Sequence, residues 1–225
     1  MANLSCNNAI LVIGESGAGK STSLRNLDPK ETCIVNVVGK PLPFKGWKSK
    51  YTIVNEENKE GNMVVSSSPE IIIKALRYFS KRENVKYIII DDFQYLMSLE
   101  FMKRCKEKGY DKFNEIGFNA FSVIRETIEI GTANPEKLIC VMAHVDRESD
   151  GREKIKTIGR MLDDKVTIEG LYSVVLYSVR NDDGFFFMTN GTSKDTCKSP
   201  MGMFQSKYID NDLALVAEAI KNYEI

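Results

Sequence analysis

Paired cysteines, an excess of either charge and long apolar runs are all missing from this 225-residue sequence. The five cysteines, at positions 6, 33, 105, 140 and 197, are odd in number, scattered and without a C-x-x-C pair. That excludes a disulfide framework and a zinc knuckle and predicts reduced thiols. Lys plus Arg and Asp plus Glu number 31 each, so any nucleic-acid binding has to come from local patches rather than bulk charge. No apolar run approaches the ~18 residues of a membrane-spanning helix. The opening MANLSCNNAI lacks a basic segment followed by a long apolar one, so no secretory signal and a cytoplasmic location are expected. Internal repeats and low-complexity tracts are missing too. What remains is 43% hydrophobic and 28% charged, a soluble globular composition, long enough for one large domain over residues 1–225.

Strand and helix signals alternate, which predicts an α/β fold with a largely parallel sheet flanked by helices on both faces. Ala9 to Ile13 is a short apolar strand running into glycine, and Lys20 to Leu27 reads as the helix after it. Further strands are expected at Cys33 to Val38, Tyr51 to Asn55, Tyr87 to Ile90, Leu138 to Ala143, Tyr172 to Val179 and Phe185 to Met188. Several are apolar throughout, as strands covered on both faces are. Ser68, Pro69 and Glu70 open a helix carrying Ile72, Ile73, Leu76 and Phe79, and a second stripe carries Phe121, Ile124 and Ile128. Asp210 or Asn211 opens a terminal helix with Leu213, Val216, Ile220 and Tyr223 on one face. The charged stretches 40–50, 56–67, 98–117, 145–170 and 189–209 read as irregular.

Gly14-Glu15-Ser16-Gly17-Ala18-Gly19-Lys20-Ser21-Thr22 fits G-x-x-x-x-G-K-[ST] between a strand and a helix, the context a phosphate-binding loop requires. The glycines let backbone N–H groups curl around a β-phosphate, Lys20 neutralises β/γ oxygens, and the Ser21 hydroxyl is a ligand for Mg²⁺. ATP with Mg²⁺ is the expected pairing. Tyr87 to Asp92 is an apolar strand ending in two carboxylates, which predicts Asp91 near the metal. Asp92 is then the candidate to orient or deprotonate the attacking water, or else a cap for the helix near Gln94. His144 is the single histidine and follows the strand Leu138 to Ala143, where it could sense a γ-phosphate or sit as an ordinary satisfied side chain. The catalytic candidates are therefore Lys20, Asp92 and His144. The long interval between Lys20 and Asp91 suits the RecA/AAA-like branch of P-loop folds, in which an extra strand intervenes.

The segment from Lys40 to Lys50 holds four lysines, no acids and the aromatics Phe44 and Trp47. Lys45, Trp47 and Lys48 could track a phosphate backbone and stack a base, or belong to a solvated loop that Trp47 anchors. Arg160, Lys194 and Lys198 are candidates for a finger reaching a neighbouring subunit's γ-phosphate, and otherwise are surface cations. Arg147, Arg152 and Arg160 keep a small-molecule phosphotransferase with an arginine-bearing lid in view. A nucleotide-dependent scaffold or loader with little hydrolysis is the other alternative to an ATPase.

The P-loop, the strand ending Asp91-Asp92, the strand ending at His144, Lys40-Pro41-Leu42-Pro43-Phe44-Lys45-Gly46-Trp47 and Lys198-Ser199-Pro200-Met201-Gly202-Met203-Phe204 together resemble the phage-type RecA-like ATPases, which include Sak-type single-strand annealing proteins. The resemblance covers roughly residues 9 to 204. It implies a RecA-like P-loop core that hydrolyses ATP, works with single-stranded DNA in phage recombination or replication, and assembles as a ring or filament in the host cytoplasm, with a possible replication or recombination protein partner. It also implies DNA-facing loops after the Asp91 and His144 strands, here about 98–117 and 145–165. One departure stands out. RecA-type proteins place a glutamate at the end of the strand after the P-loop helix, whereas here that strand ends Val37-Val38-Gly39-Lys40, so the role of base passes to Asp92 by geometry.

Overall fold

A computed structural model describes residues 8–147, 151, 153–159, 162, 165–192 and 194–223. Its strands are β1 (Ala9–Gly14), β2 (Thr32–Asn36), β3 (Met63–Val65), β4 (Tyr87–Asp91), β5 (Leu138–Arg147), β6 (Glu153–Ile155), β7 (Val174–Asn181), β8 (Gly184–Met188) and β9 (Tyr208–Asp210). They form one sheet in the order β3-β2-β4-β5-β1-β7-β8-β9, with β6 paired to the outer part of β5. The first six in that order run parallel, and β8 and β9 add an antiparallel edge. The helices are α1 (Trp47–Lys50), α2 (Pro69–Ser80), α3 (Tyr95–Lys103), α4 (Asp111–Ala133) and α5 (Leu213–Asn222), with 3-10 turns at Ser21–Asn26 and Ile168–Leu171.

The apolar strands are apolar because both faces are covered. Ala9, Leu11 and Ile13 of β1 share a core with Ile88, Ile90, Val141 and residues of α2, α3 and α4, including Leu76, Leu96 and Val123. The alternate residues Ile10 and Val12 face a second core built from Leu24, Leu42, Tyr51, Met142, Leu176 and, on α5, Leu213 and Val216. Each fully buried aliphatic side chain contributes about 1.5–3 kcal/mol, so the two cores together clamp the sheet between its layers. Inside the first core the Thr127 and Tyr172 hydroxyls bond each other at 3.0 Å, which satisfies both groups away from water.

Register brings the chemistry to one edge. Gly14 lies opposite His144 across β1 and β5, and Asn36 lies opposite Asp91 across β2 and β4. β5 separates the P-loop strand from the Asp91 strand, as the RecA/AAA-like reading requires. Among the described residues no helix is long and apolar enough to cross a membrane.

Several expectations change. The segment after Lys20 is a 3-10 turn rather than a helix to Leu27, because Leu27 goes extended ahead of the Asp28-Pro29 turn. Tyr51 to Asn55 gives only an isolated bridge, Ile53 with Met63, at the sheet's edge. The stretch 98–117 is mostly helix, the end of α3 and the start of α4, with a turn between them; it is not a long loop after the Asp91 strand. The stretch 145–170 contains the antiparallel pairing of β5 with β6, while residues 148–150, 152, 160, 161, 163 and 164 fall outside the described residues. The terminal helix is capped by neither Asp210 nor Asn211. Asp212 does this, accepting from the Ala214 N–H, since its extended backbone points the carboxylate back at the first turn.

Candidate functional site

A glycine at the end of a buried strand allows a bend that other residues resist. Gly17 and Gly19 have φ of 78° and 96°, in the left-handed region, and the loop between them wraps the end of β1. A Cβ at Gly19 would lie 2.8 Å from the Phe185 ring, so this glycine also permits close approach. The loop is braced from the far end of the chain. Ser178 Oγ on β7 donates to the Ala18 carbonyl at 2.7 Å, and Asn211 Nδ2 donates to Ser178 Oγ at 3.1 Å. Arg25 in turn donates to the Asn211 carbonyl.

Lys20 is buried and folds back on the loop, its Nζ donating to the Gly14 and Glu15 carbonyls at 2.8 Å each. Burial lowers its pKa to about 8, opposed by the charges of Asp92 and Asp91. Ser21 Oγ donates to Asp91 Oδ1 at 2.8 Å. Asp91 is pushed up to about 6, first by burial and then by the Asp92 charge, with the Ser21 bond pulling the other way. These two oxygen donors fit Mg²⁺, a hard cation that takes one or two protein oxygens plus substrate phosphates. No cluster of three His, Cys, Asp or Glu side chains able to hold a metal occurs among the described residues.

Asp92 follows with φ of +63°, the one non-glycine residue in the left-handed region among those described. Such a conformation costs about 1–3 kcal/mol and persists where neighbours fix it. Here Lys40 Nζ donates to Oδ2 at 2.7 Å, and His144 Nε2 lies 3.2 Å from Oδ1. Burial alone would raise the Asp92 pKa, but the bonds from His144 and Lys40 outweigh it and hold the carboxyl at about 2. A carboxylate oxygen accepts, so this contact is a hydrogen bond in the tautomer that has N–H at His144 Nε2. His144 is placed by Gln94, whose Oε1 accepts from its backbone N–H at 3.0 Å, and by the Tyr95 ring, edge-on at 5.9 Å. α3 has no side-chain cap bond, and the Asp92 carboxylate faces Lys40 and His144 instead.

These side chains surround a cavity of about 230 Å³ lined by the P-loop, Lys40, Pro41, Pro43, Asp91, Asp92, His144 and Phe185. A larger depression of about 840 Å³ lies at the opposite end of β2 and β4. Two of its cations are engaged, Lys86 with Glu31 at 2.6 Å and Arg82 with the Gly61 carbonyl at 2.7 Å. The P-loop, Asp91, Asp92 and His144 thus come together as their sequence positions predict. Lys40 and Phe185 read in the sequence only as parts of a basic segment and of a strand, and no local signal distinguishes either.

The remaining candidates lie elsewhere. Lys45 and Lys48 are exposed and Trp47 half-buried, around a shallow cup that also includes Leu42 and Phe44, next to the nucleotide cavity wall at Pro43. Trp47 packs on the second core, which supports its anchoring role without removing its exposed edge. Lys194 and Lys198 do not line the cavity; Lys198 pairs with Val175 by backbone bonds and Lys194 accepts from the Glu153 N–H. Arg152 and Arg160 lie outside the described residues. Arg147 is paired with Glu153 and lies 3.9 Å from Glu15 of the P-loop.

No curated protein matches the chain. The family model described as AAA domain matches residues 5–119, a stretch that holds the P-loop, Lys40, Asp91 and Asp92. With a mostly parallel sheet whose β5 separates the P-loop strand from the aspartate strand, and with more than half the sequence under that match, the chain belongs to the AAA domain family of P-loop nucleoside triphosphatases.

Proposed function

We propose that the chain binds Mg·ATP in the cavity at the P-loop and hydrolyses it in step with single-stranded DNA, as an oligomeric ring or filament of the phage-type, Sak-like kind. The observation that carries the nucleotide part is the Ser21–Asp91 bond, which brings together two oxygen donors beside the P-loop, one from the 3-10 turn after β1 and one from the end of β4. Ser21 and Asp91 would hold Mg²⁺, whose charge would offset that of the β- and γ-phosphates. Lys20 turns from the Gly14 and Glu15 carbonyls to phosphate oxygens, and the P-loop amides, kept in place by Ser178, supply fixed dipoles that need no reorganisation. Asp92, ionised and positioned by His144, orients or deprotonates water.

Support for the DNA part is the exposed pair Lys45 and Lys48 beside Trp47, next to the cavity wall. A second reading is favoured by one observation. Asp92 is occupied by Lys40 as well as His144, which fits a loader or scaffold that binds ATP and turns it over slowly until a partner acts. Of the three arginines of the phosphotransferase reading, Arg147 is paired with Glu153, and Arg152 and Arg160 lie outside the described residues.

Phosphate release with and without single-stranded DNA, with Lys20→Ala as control and oligomer size followed in the same samples, separates these readings. A Lys20-dependent rate that DNA raises supports the recombination-type ATPase. ATP binding with neither turnover nor assembly responding to DNA supports the loader, and no ATP binding at all would overturn both.

A further inference from the structure

The geometry points to Lys40 as a γ-phosphate ligand supplied by the chain's own subunit, held on Asp92 until a triphosphate enters; this rests on the reading that the cavity takes Mg·ATP. Its first support is how the backbone presents the side chain. At the end of β2 the buried Asn36 clasps the next turn, its Oδ1 accepting from the Gly39 N–H at 2.8 Å and its Nδ2 donating to the Lys40 carbonyl at 2.7 Å. Gly39 completes that turn at φ of +76°, where a Cβ would lie 2.9 Å from Val65. The Lys40 Cα is therefore fixed, and what varies is the side chain.

The second support is where that side chain ends. Its ammonium sits 2.7 Å from Asp92 Oδ2 and 5.0 Å from the centre of the Tyr95 ring, on the wall of the cavity that also holds Lys20, Ser21 and Asp91. The lysine side chain is 53% exposed while that of Asp92 is 9% exposed, so the cation is the partner free to move. A flexible four-carbon stem lets an ammonium exchange one anionic oxygen for another nearby.

The third support is charge. Lys20, Lys40, Asp91 and Asp92 all line the cavity, two cations beside two carboxylates. A magnesium-bound triphosphate adds net negative charge beside Asp92, and Lys40 is the cation there that can turn to it. When Lys40 moves to the γ-phosphate, Asp92 keeps only His144 and can accept from water. A diphosphate presents no γ-oxygen, so Lys40 stays on Asp92. A lysine that merely anchored the loop from Pro41 onward would not distinguish the two nucleotides.

The test is equilibrium binding of fluorescent ATPγS and ADP, each with Mg²⁺, to the wild type, Lys40→Ala, Lys40→Arg and Lys20→Ala. Loss of a charge-assisted hydrogen bond should weaken ATPγS binding to Lys40→Ala by about tenfold or more, with ADP affinity held within about twofold. Lys40→Arg should recover part of the preference. Unchanged ADP binding also reports that the variant is folded. If Lys40→Ala weakens both nucleotides equally, or neither, the role of Lys40 is overturned while the P-loop reading stands. If the wild type binds neither nucleotide, the reading of the cavity itself falls and this role falls with it.

Discussion

Ser21 Oγ donates to Asp91 Oδ1 at 2.8 Å, joining two residues 70 positions apart across the intervening end of β5. Asp91 is buried, and burial together with Asp92 raises its pKa from 3.8 to about 6. A carboxyl with a raised folded-state pKa stabilises the fold when protonated. That contribution is present below about pH 4 and is lost as pH rises through about 6. In nucleotide-free protein kept in EDTA, Asp91→Asn should raise Tm at pH 7 and flatten the pH dependence of Tm between about pH 4 and 6. The same variant should lose the Mg²⁺ dependence of ATP binding. A lower Tm together with intact Mg²⁺ dependence would remove Asp91 from the metal site.

Lys20→Ala should leave the circular dichroism spectrum and Tm close to wild type, because the lysine is buried at some expense and its partners are carbonyls that water can reach once it is gone. Phosphate release should fall by at least about 100-fold, the scale of losing a transition-state cation. Normal turnover in this variant would end the P-loop assignment.

Asp92→Asn should bind ATP and stop hydrolysing it, with single-turnover rates down by about 100-fold or more, as for loss of a general base. Asparagine tolerates the left-handed backbone, so this variant isolates the chemistry. Asp92→Ala should cost a further ~1–2 kcal/mol of stability from the backbone alone, read as a lower denaturation midpoint than Asp92→Asn. Wild-type turnover in Asp92→Asn would pass the role of base to another group.

Lys45 and Lys48 are exposed and can be changed without disturbing the core. The double alanine variant should weaken single-stranded DNA binding and lower the slope of log K against log salt by about 0.7 for each phosphate no longer neutralised. Trp47→Phe keeps most of the packing on the second core and should reduce affinity less than Trp47→Ala. Identical binding and slope in the lysine variant would leave the segment as a solvated loop.

The P-loop, the Asp91 strand and the Pro69 helix start are legible because each is a local pattern: glycine spacing, an apolar run into acid, a proline at the first helical position. Lys40 is not, since its meaning depends on the register that puts Asn36 opposite Asp91. The same holds for Ser178 and Asn211, which brace the loop from far along the chain. The stretch 98–117 reads as irregular because its charges mask two helices. Arg104 collects Glu100, Glu107 and Glu115, and Lys112 donates to the Arg104 and Glu107 carbonyls at the end of α3, so charge there is part of the folded layer. Tyr51 to Asn55 fails in the other direction, being apolar enough for a strand but left at the rim with a single bridge.

β1 bonds only to β5 and β7 within the sheet, and both lie beyond residue 119, where the family match ends. A ribosome that has released residues 5–119 has therefore delivered every P-loop residue and neither of the strands that hold them. The loop gains its brace only once Ser178 and Asn211 have emerged, several seconds later at ~5–20 residues per second. During that interval the β1 segment has neither of the strands it pairs with in the folded sheet. It also means that a fragment cut at the boundary of the match would lack the neighbours that hold its nucleotide loop in place.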